Sequence, residues 1–152
     1  MKILAFDCAT KTGWAVCDSL GDIMDSGVRD FKKRRGESNG MLFLKFNKWL
    51  DEIIELVVPD IISYELAHFR GGAATEICVG LQTRVQEKAS KNNIPYLGIT
   101  TSEVKKFATG IGNAGKELMI EKAWEYLGRK PIDDNEADAV HLARFTANEV
   151  GL

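Results

Sequence analysis

Cysteine is scarce in this 152-residue chain, long hydrophobic runs are missing, and neither sign of charge prevails. The cysteines, Cys8, Cys17 and Cys78, are odd in number, widely spaced and free of any CxxC pair. That excludes a disulfide framework or a zinc ribbon and predicts reduced thiols in a cytoplasmic protein. No apolar stretch approaches the ~20 residues that span a bilayer. The N-terminus carries no signal-peptide pattern either, so the expectation is a soluble protein with no membrane partner. Lysine and arginine number 20 against 22 aspartates and glutamates, a formal net charge of −2. Any contact with nucleic acid must therefore use a local basic surface. The remainder is ordinary, 45% hydrophobic and 28% charged, and predicts one domain over 1–152 with a normal core.

What stands out is where the acids fall. Ile3-Leu4-Ala5-Phe6 is a short apolar run that stops at Asp7, and Trp14-Ala15-Val16-Cys17 follows after Cys8-Ala9-Thr10-Lys11-Thr12-Gly13. Short apolar runs split by turn residues predict a β-hairpin. Ile61-Ile62-Ser63-Tyr64 is another buried strand, and it too ends in an acid, Glu65. Neighbouring parallel strands lie ~4.8 Å apart, which would bring Asp7 and Glu65 together. Like charges that close repel unless a cation lies between them, so the pair points to a metal site. A third acidic segment runs Asp133-Asp134-Asn135-Glu136-Ala137-Asp138-Ala139. Asp133 with Glu136 reads as a helix-capping pair. Asp134 and Asp138, four apart, share a helix face with Asn135 close by. Ala137 and Ala139 let that helix approach a sheet.

Between these landmarks, 22–31 reads as a third, edge strand, and Ser38 as the cap of a helix built on Leu42, Phe46, Trp49, Leu50, Ile53 and Val57. Ala74, Ile77, Cys78, Leu81, Val85 and Ala89 mark a second amphipathic helix, followed by a strand over 94–99. Gly110-x-Gly112-x-x-Gly115 matches GxGxxG but does not sit between a strand and the helix of a βαβ unit, which argues against a dinucleotide site. Lys105 precedes these glycines and Lys116 opens the next helix, a setting suited to a phosphate. Lys32-Lys33-Arg34-Arg35 is a basic loop. Phe69 and Arg70, beside His68 and before Gly71-Gly72, suggest an apolar loop tip that enters a base stack.

Taken in order, Asp7 with Thr12-Gly13, Glu65, the Val104-Lys105-Lys106 and Gly110–Lys116 stretch, and Asn135–Ala139 resemble the RuvC branch of the ribonuclease H-like nucleases. These are the Holliday junction resolvases, and their short phage forms are especially similar. The resemblance covers nearly the whole chain. It implies an α/β, ribonuclease H-like fold, with a five-stranded mixed sheet (three antiparallel strands, then two parallel) flanked by helices. It implies an endodeoxyribonuclease acting in DNA recombination and repair, which resolves four-way junctions by paired nicks leaving 5′-phosphate and 3′-hydroxyl ends. Two Mg²⁺ or Mn²⁺ ions per site are implied, held by Asp7, Glu65 and Asp138. The family carries Asp or His three residues before the last acid. This chain has Asn135, so the fourth ligand is Asp134 or, through its amide oxygen, Asn135. Lys105 and Lys116 are implied as charge-neutralising groups at the scissile phosphate. Lys32, Lys33, Arg34, Arg35 and Arg70 are implied as holders of the DNA arms, with His68 or Phe69 at the family's stacking position. Partners implied are branched DNA and, by two-fold symmetry, a second copy of the chain.

Three other readings stay open on sequence alone. One is a ribonuclease H-like nuclease of other branched DNA or of RNA–DNA hybrids. Another is an actin-type ATP-binding phosphotransferase, although that fold needs two such domains. The last is a silent DNA-binding module.

Overall fold

The computed structural model describes residues 1–68 and 71–151. Three strands open the chain: β1 (Lys2–Asp7), β2 (Lys11–Asp18) and β3 (Ile23–Asp30). Then come α1 (Asn39–Val57), β4 (Ile61–Glu65), α2 (Gly72–Lys91), β5 (Tyr96–Ile99), α3 (Thr101–Thr109), α4 (Lys116–Leu127) and α5 (Asp134–Val150). The sheet order is β3-β2-β1-β4-β5. β1, β2 and β3 pair antiparallel, while β4 joins β1, and β5 joins β4, in parallel. This is the mixed ribonuclease H-like sheet that the sequence predicts, with the third strand at an edge.

Strand alternation divides the core in two. Leu4, Phe6, Val16, Ile62 and Tyr64 face α1 and α2, where Phe46, Trp49 and Leu50 fill the space. Ile3, Ala5, Ala15 and Cys17 face α3, α4 and α5. This second face is lined with small side chains on both sides, Ala5 and Ala15 against Ala137, Ala139 and Ala143. The helix is thereby drawn close to the sheet. The tightest approach is at Gly13, where an added Cβ would lie 1.9 Å from the carbonyl oxygen of Asn135. No side chain fits there.

Helix ends follow their sequence signals. Ser38 accepts from the Met41 N–H at the start of α1, and Asp133 from the Glu136 N–H at the start of α5. Thr100 and Glu103 form a reciprocal capping box on α3, which ends at Gly110 with φ +83°. Gly110 and Gly115 therefore bound a turn between two helices, and the GxGxxG pattern has no dinucleotide geometry. Two expectations shift. The fifth strand starts at Tyr96, not Ile94, because the Ile94 N–H bonds Ala89 and Pro95 has no donor. Ala74 lies exposed, because the first turns of α2 extend past the sheet, and burial begins in earnest at Leu81.

Candidate metal centre

Phe6 pairs with Tyr64, so the next residue on each strand, Asp7 and Glu65, leaves the sheet at the same edge. α5 crosses this edge from the other side and adds Asp138, one turn in from its N-terminus. One carboxylate oxygen from each of the three lies within 4.8 Å of the others. All three are partly buried.

The electrostatics of this cluster are unfavourable as it stands. Burial, then Glu65, Asp138, Asp134 and Asp133 in turn, push the Asp7 carboxyl well above the usual carboxylate range. Asp138 is pushed up to about 7 by burial first and by Glu65 and Asp134 next, with Lys105 and Lys116 pulling the other way. Neither lysine is inserted into the triad. Lys116 Nζ lies 3.6 Å from Asp134 Oδ2, but its side chain is 80% exposed, so screening leaves little of that attraction.

A divalent cation suits this set. The donors are hard carboxylate oxygens on three rigid elements, which Mg²⁺ and Mn²⁺ accept. Cys8, next to Asp7, does not compete as a ligand. Burial and then Asp7, Cys78 and Glu65 push its thiol well up, which disfavours the thiolate a metal needs.

The other sequence-predicted residues distribute as follows. Asp134 faces Lys116 and lies outside the set of mutually close oxygens, although its charge reaches both Asp7 and Asp138. Asn135 donates its side-chain N–H to Asp133 Oδ2 at 3.3 Å, and its carbonyl rests against Gly13. Lys32, Lys33, Arg34 and Arg35 are exposed on the loop after β3, which leaves the sheet at the Asp7 edge. Lys33 Nζ donates to Asn39 Oδ1 at 2.7 Å. His68 is exposed, with Nε2 2.7 Å from Thr101 Oγ1. Phe69 and Arg70 lie outside the described residues. His141 faces away from the acids: it is fully buried, and Nε2 bonds the Met119 carbonyl at 2.8 Å.

Two features escape a reading of the sequence. Thr101, the first residue of α3, donates its hydroxyl proton to Glu65 Oε1. Glu136, expected only as a capping partner, is fully buried and turned inward. It accepts from Ile132 N–H at 2.7 Å, Ser26 Oγ at 2.7 Å, and Arg129 at 3.1 Å (Nη1) and 2.6 Å (Nη2). This ties the start of α5 to β3 and to the turn after α4. The signal was present only as a strand serine and a turn arginine, residues too common to single out.

No protein-family model matches the chain. It is 31% identical over 127 residues to a protein of Brachyspira hyodysenteriae named crossover junction endodeoxyribonuclease RuvC, covering 83% of this chain and 78% of the relative. A protein of the same name from Desulforamulus reducens is 30% identical over 150 residues, covering 94% and 91%. Among solved structures, Thermus thermophilus RuvC in complex with Holliday junction substrate superposes with a TM-score of 0.80 at 19% identity, covering 95% of this chain and 91% of that one.

Proposed function

The chain belongs to the RuvC family of crossover junction endodeoxyribonucleases, and from that premise we propose that its carboxylate edge is the centre where a four-way DNA junction is cut. It is a nuclease that resolves Holliday junctions. The observation that carries the reading is the convergence of Asp7, Glu65 and Asp138, partly buried acids with no cationic side chain among them in the described residues.

The work divides among the chain's residues. Asp7, Glu65 and Asp138 would hold divalent Mg²⁺ or Mn²⁺, two ions per site, with Asp134 or the amide oxygen of Asn135 as the fourth ligand; the bond to Asp133 uses the Asn135 N–H and not that oxygen. Bound there, the ions supply positive charge to the phosphate and lower the pKa of the attacking water. Burial and the neighbouring acids push the Asp7 and Asp138 carboxyls up, so metal loading would compete with protons and be favoured as pH rises. Lys105 and Lys116 act on the Asp138 carboxyl through their charge and would neutralise a phosphate seated on the acids. Lys32–Arg35 take the backbone of a DNA arm from the same edge, as point charges that position without reading sequence. Two nicks on opposing strands require two such edges, which a C2 homodimer provides. Sedimentation of the protein with and without junction tests that last element.

Cleavage of an end-labelled synthetic four-way junction tests the whole. Paired nicks are expected with Mg²⁺ or Mn²⁺, absent with chelator and absent in Asp7→Asn. Cutting of flaps or RNA–DNA hybrids in preference to the junction contradicts the substrate; no metal-dependent cutting of any of them contradicts the activity.

A further inference from the structure

We propose that Thr101 and His68 form a hydrogen-bonded chain that positions Glu65, so that the loop after β4 is tied to the metal centre. The inference rests on the metal-site reading above and extends it to residues outside the ligand set.

The geometry begins with the loop. After Glu65 the chain is pinned twice: Leu66 N–H donates to the Ile99 carbonyl at 2.8 Å, and Ala67 N–H donates to Gln82 Oε1 on α2 at 2.9 Å. The first bond continues the β4–β5 ladder, and it brings His68 beside the residues that follow Ile99. Those are two threonines with separate tasks. Thr100 is the N-cap of α3, its hydroxyl exchanged with Glu103. Thr101 is free of capping duty, and its hydroxyl turns to Glu65 instead.

Donor counting then fixes the direction of the chain. A threonine hydroxyl has one proton. It goes to Glu65 Oε1, a charge-assisted bond in a part-buried setting. The Thr101 oxygen is left as acceptor for its other neighbour, His68 Nε2, at 2.7 Å. Nε2 is therefore the protonated nitrogen. With its donation the Thr101 hydroxyl cannot rotate away without breaking two bonds, and Glu65 is held by one oxygen, Oε1, while no hydrogen bond from the described residues takes the other. This is the outer-shell arrangement that orients a ligating carboxylate. It also gives His68 a role distinct from stacking on a base, since a phenylalanine in its place would stack but would donate nothing to Thr101.

Calorimetric titration of Mn²⁺ into the DNA-free protein reads this directly, with circular dichroism to confirm folding. Thr101→Val keeps the shape and removes the hydroxyl; the expected loss is about 10–100-fold in Mn²⁺ affinity. Thr101→Ser restores it. His68→Phe should weaken Mn²⁺ binding by about 2–10-fold, the worth of one hydrogen bond in water, and this arm decides if Thr101→Val does not fold. Wild-type affinity in both Thr101→Val and His68→Phe overturns the inference. Failure of the wild type to bind Mn²⁺ overturns it together with the metal-site reading. Reduced affinity in the variants with no junction cleavage by any protein, wild type included, supports the inference while removing the nuclease reading.

Discussion

Glu136 and Asp138 stand two residues apart on one helix, one acid buried and the other partly so, yet their surroundings are opposite. Around Glu136 burial opposes the charged form. The bonds from Arg129, Ile132 N–H and Ser26 outweigh it and hold the carboxyl below its usual range. Around Asp138 burial acts in the same direction, but the neighbours are Glu65 and Asp134, and the carboxyl rises to about 7. The protein supplies a partner for one acid and withholds it from the other. A buried acid with its bonds made fastens the fold; an acid set among acids is a candidate for holding a cation.

The largest effect that separates the two is on catalysis. Asp7→Asn or Asp138→Asn should abolish metal-dependent nicking, a loss beyond the 10–100-fold expected (~) of a supporting partner, measured in single-turnover junction cleavage. The same variants should stabilise the metal-free protein, because they remove repulsion. A gain of about 1 kcal/mol would raise the melting temperature by about 2–4 °C. Glu136→Ala should do the reverse. Arg129 keeps 47% of its side chain exposed, so the ion left behind is not stranded in the core. The loss is then nearer the about 1–3 kcal/mol of broken hydrogen bonds than the about 3–5 of a fully buried pair. Urea unfolding measures it.

Gly13→Ala strikes both acids at once, because its Cβ would press on the Asn135 carbonyl just ahead of them at the start of α5. Backbone cannot rotate aside as a side chain does. The expected cost is about 1–3 kcal/mol, accompanied by weaker Mg²⁺ binding as the start of α5 is displaced. Wild-type values for both would show that α5 can move without consequence.

The effect whose sign is sharpest is on the pH dependence of melting. The Asp138 carboxyl is raised in the folded state from 3.8 to about 7. Its contribution is fully present below the unfolded value and is lost as pH rises through about 7. Glu136 is lowered from 4.5, so its contribution is present above that value and is lost as pH falls through the folded one. Metal-free protein should therefore lose stability toward neutral pH in a way that Asp138→Asn removes. The loss in acid should be reduced in Glu136→Gln. Melting temperatures from acid to mildly alkaline pH separate the two.

The same contrast marks what the sequence could disclose. Asp7 and Glu65 were legible because each ends an apolar run, and strand pairing alone brings such ends together. Asp138 was legible because alanines flank it, a sign of a helix pressed on a sheet. The order of a hairpin, a third strand and then alternating helices and strands was legible, and the mixed sheet came with the family resemblance that this order carries. Glu136 was read only as a cap, since local spacing gives Asp133 but not Ser26, which is 110 residues away in sequence. Thr101 was hidden for the same reason: nothing local tells the second of two threonines from the first. Gly13 carried a signal without its cause, which is a carbonyl on α5.

Melting of the wild type and Asp138→Asn at mildly alkaline pH, each with and without saturating Mg²⁺, tests the central claim most directly. Binding to the folded state alone stabilises by RT ln(1 + [L]/Kd). Mg²⁺ should therefore raise the wild-type melting temperature clearly, while Asp138→Asn melts higher than wild type without metal and gains little from it. Equal wild-type curves with and without Mg²⁺, or a metal-free Asp138→Asn that melts below wild type, would contradict a centre of partly buried acids held apart by metal.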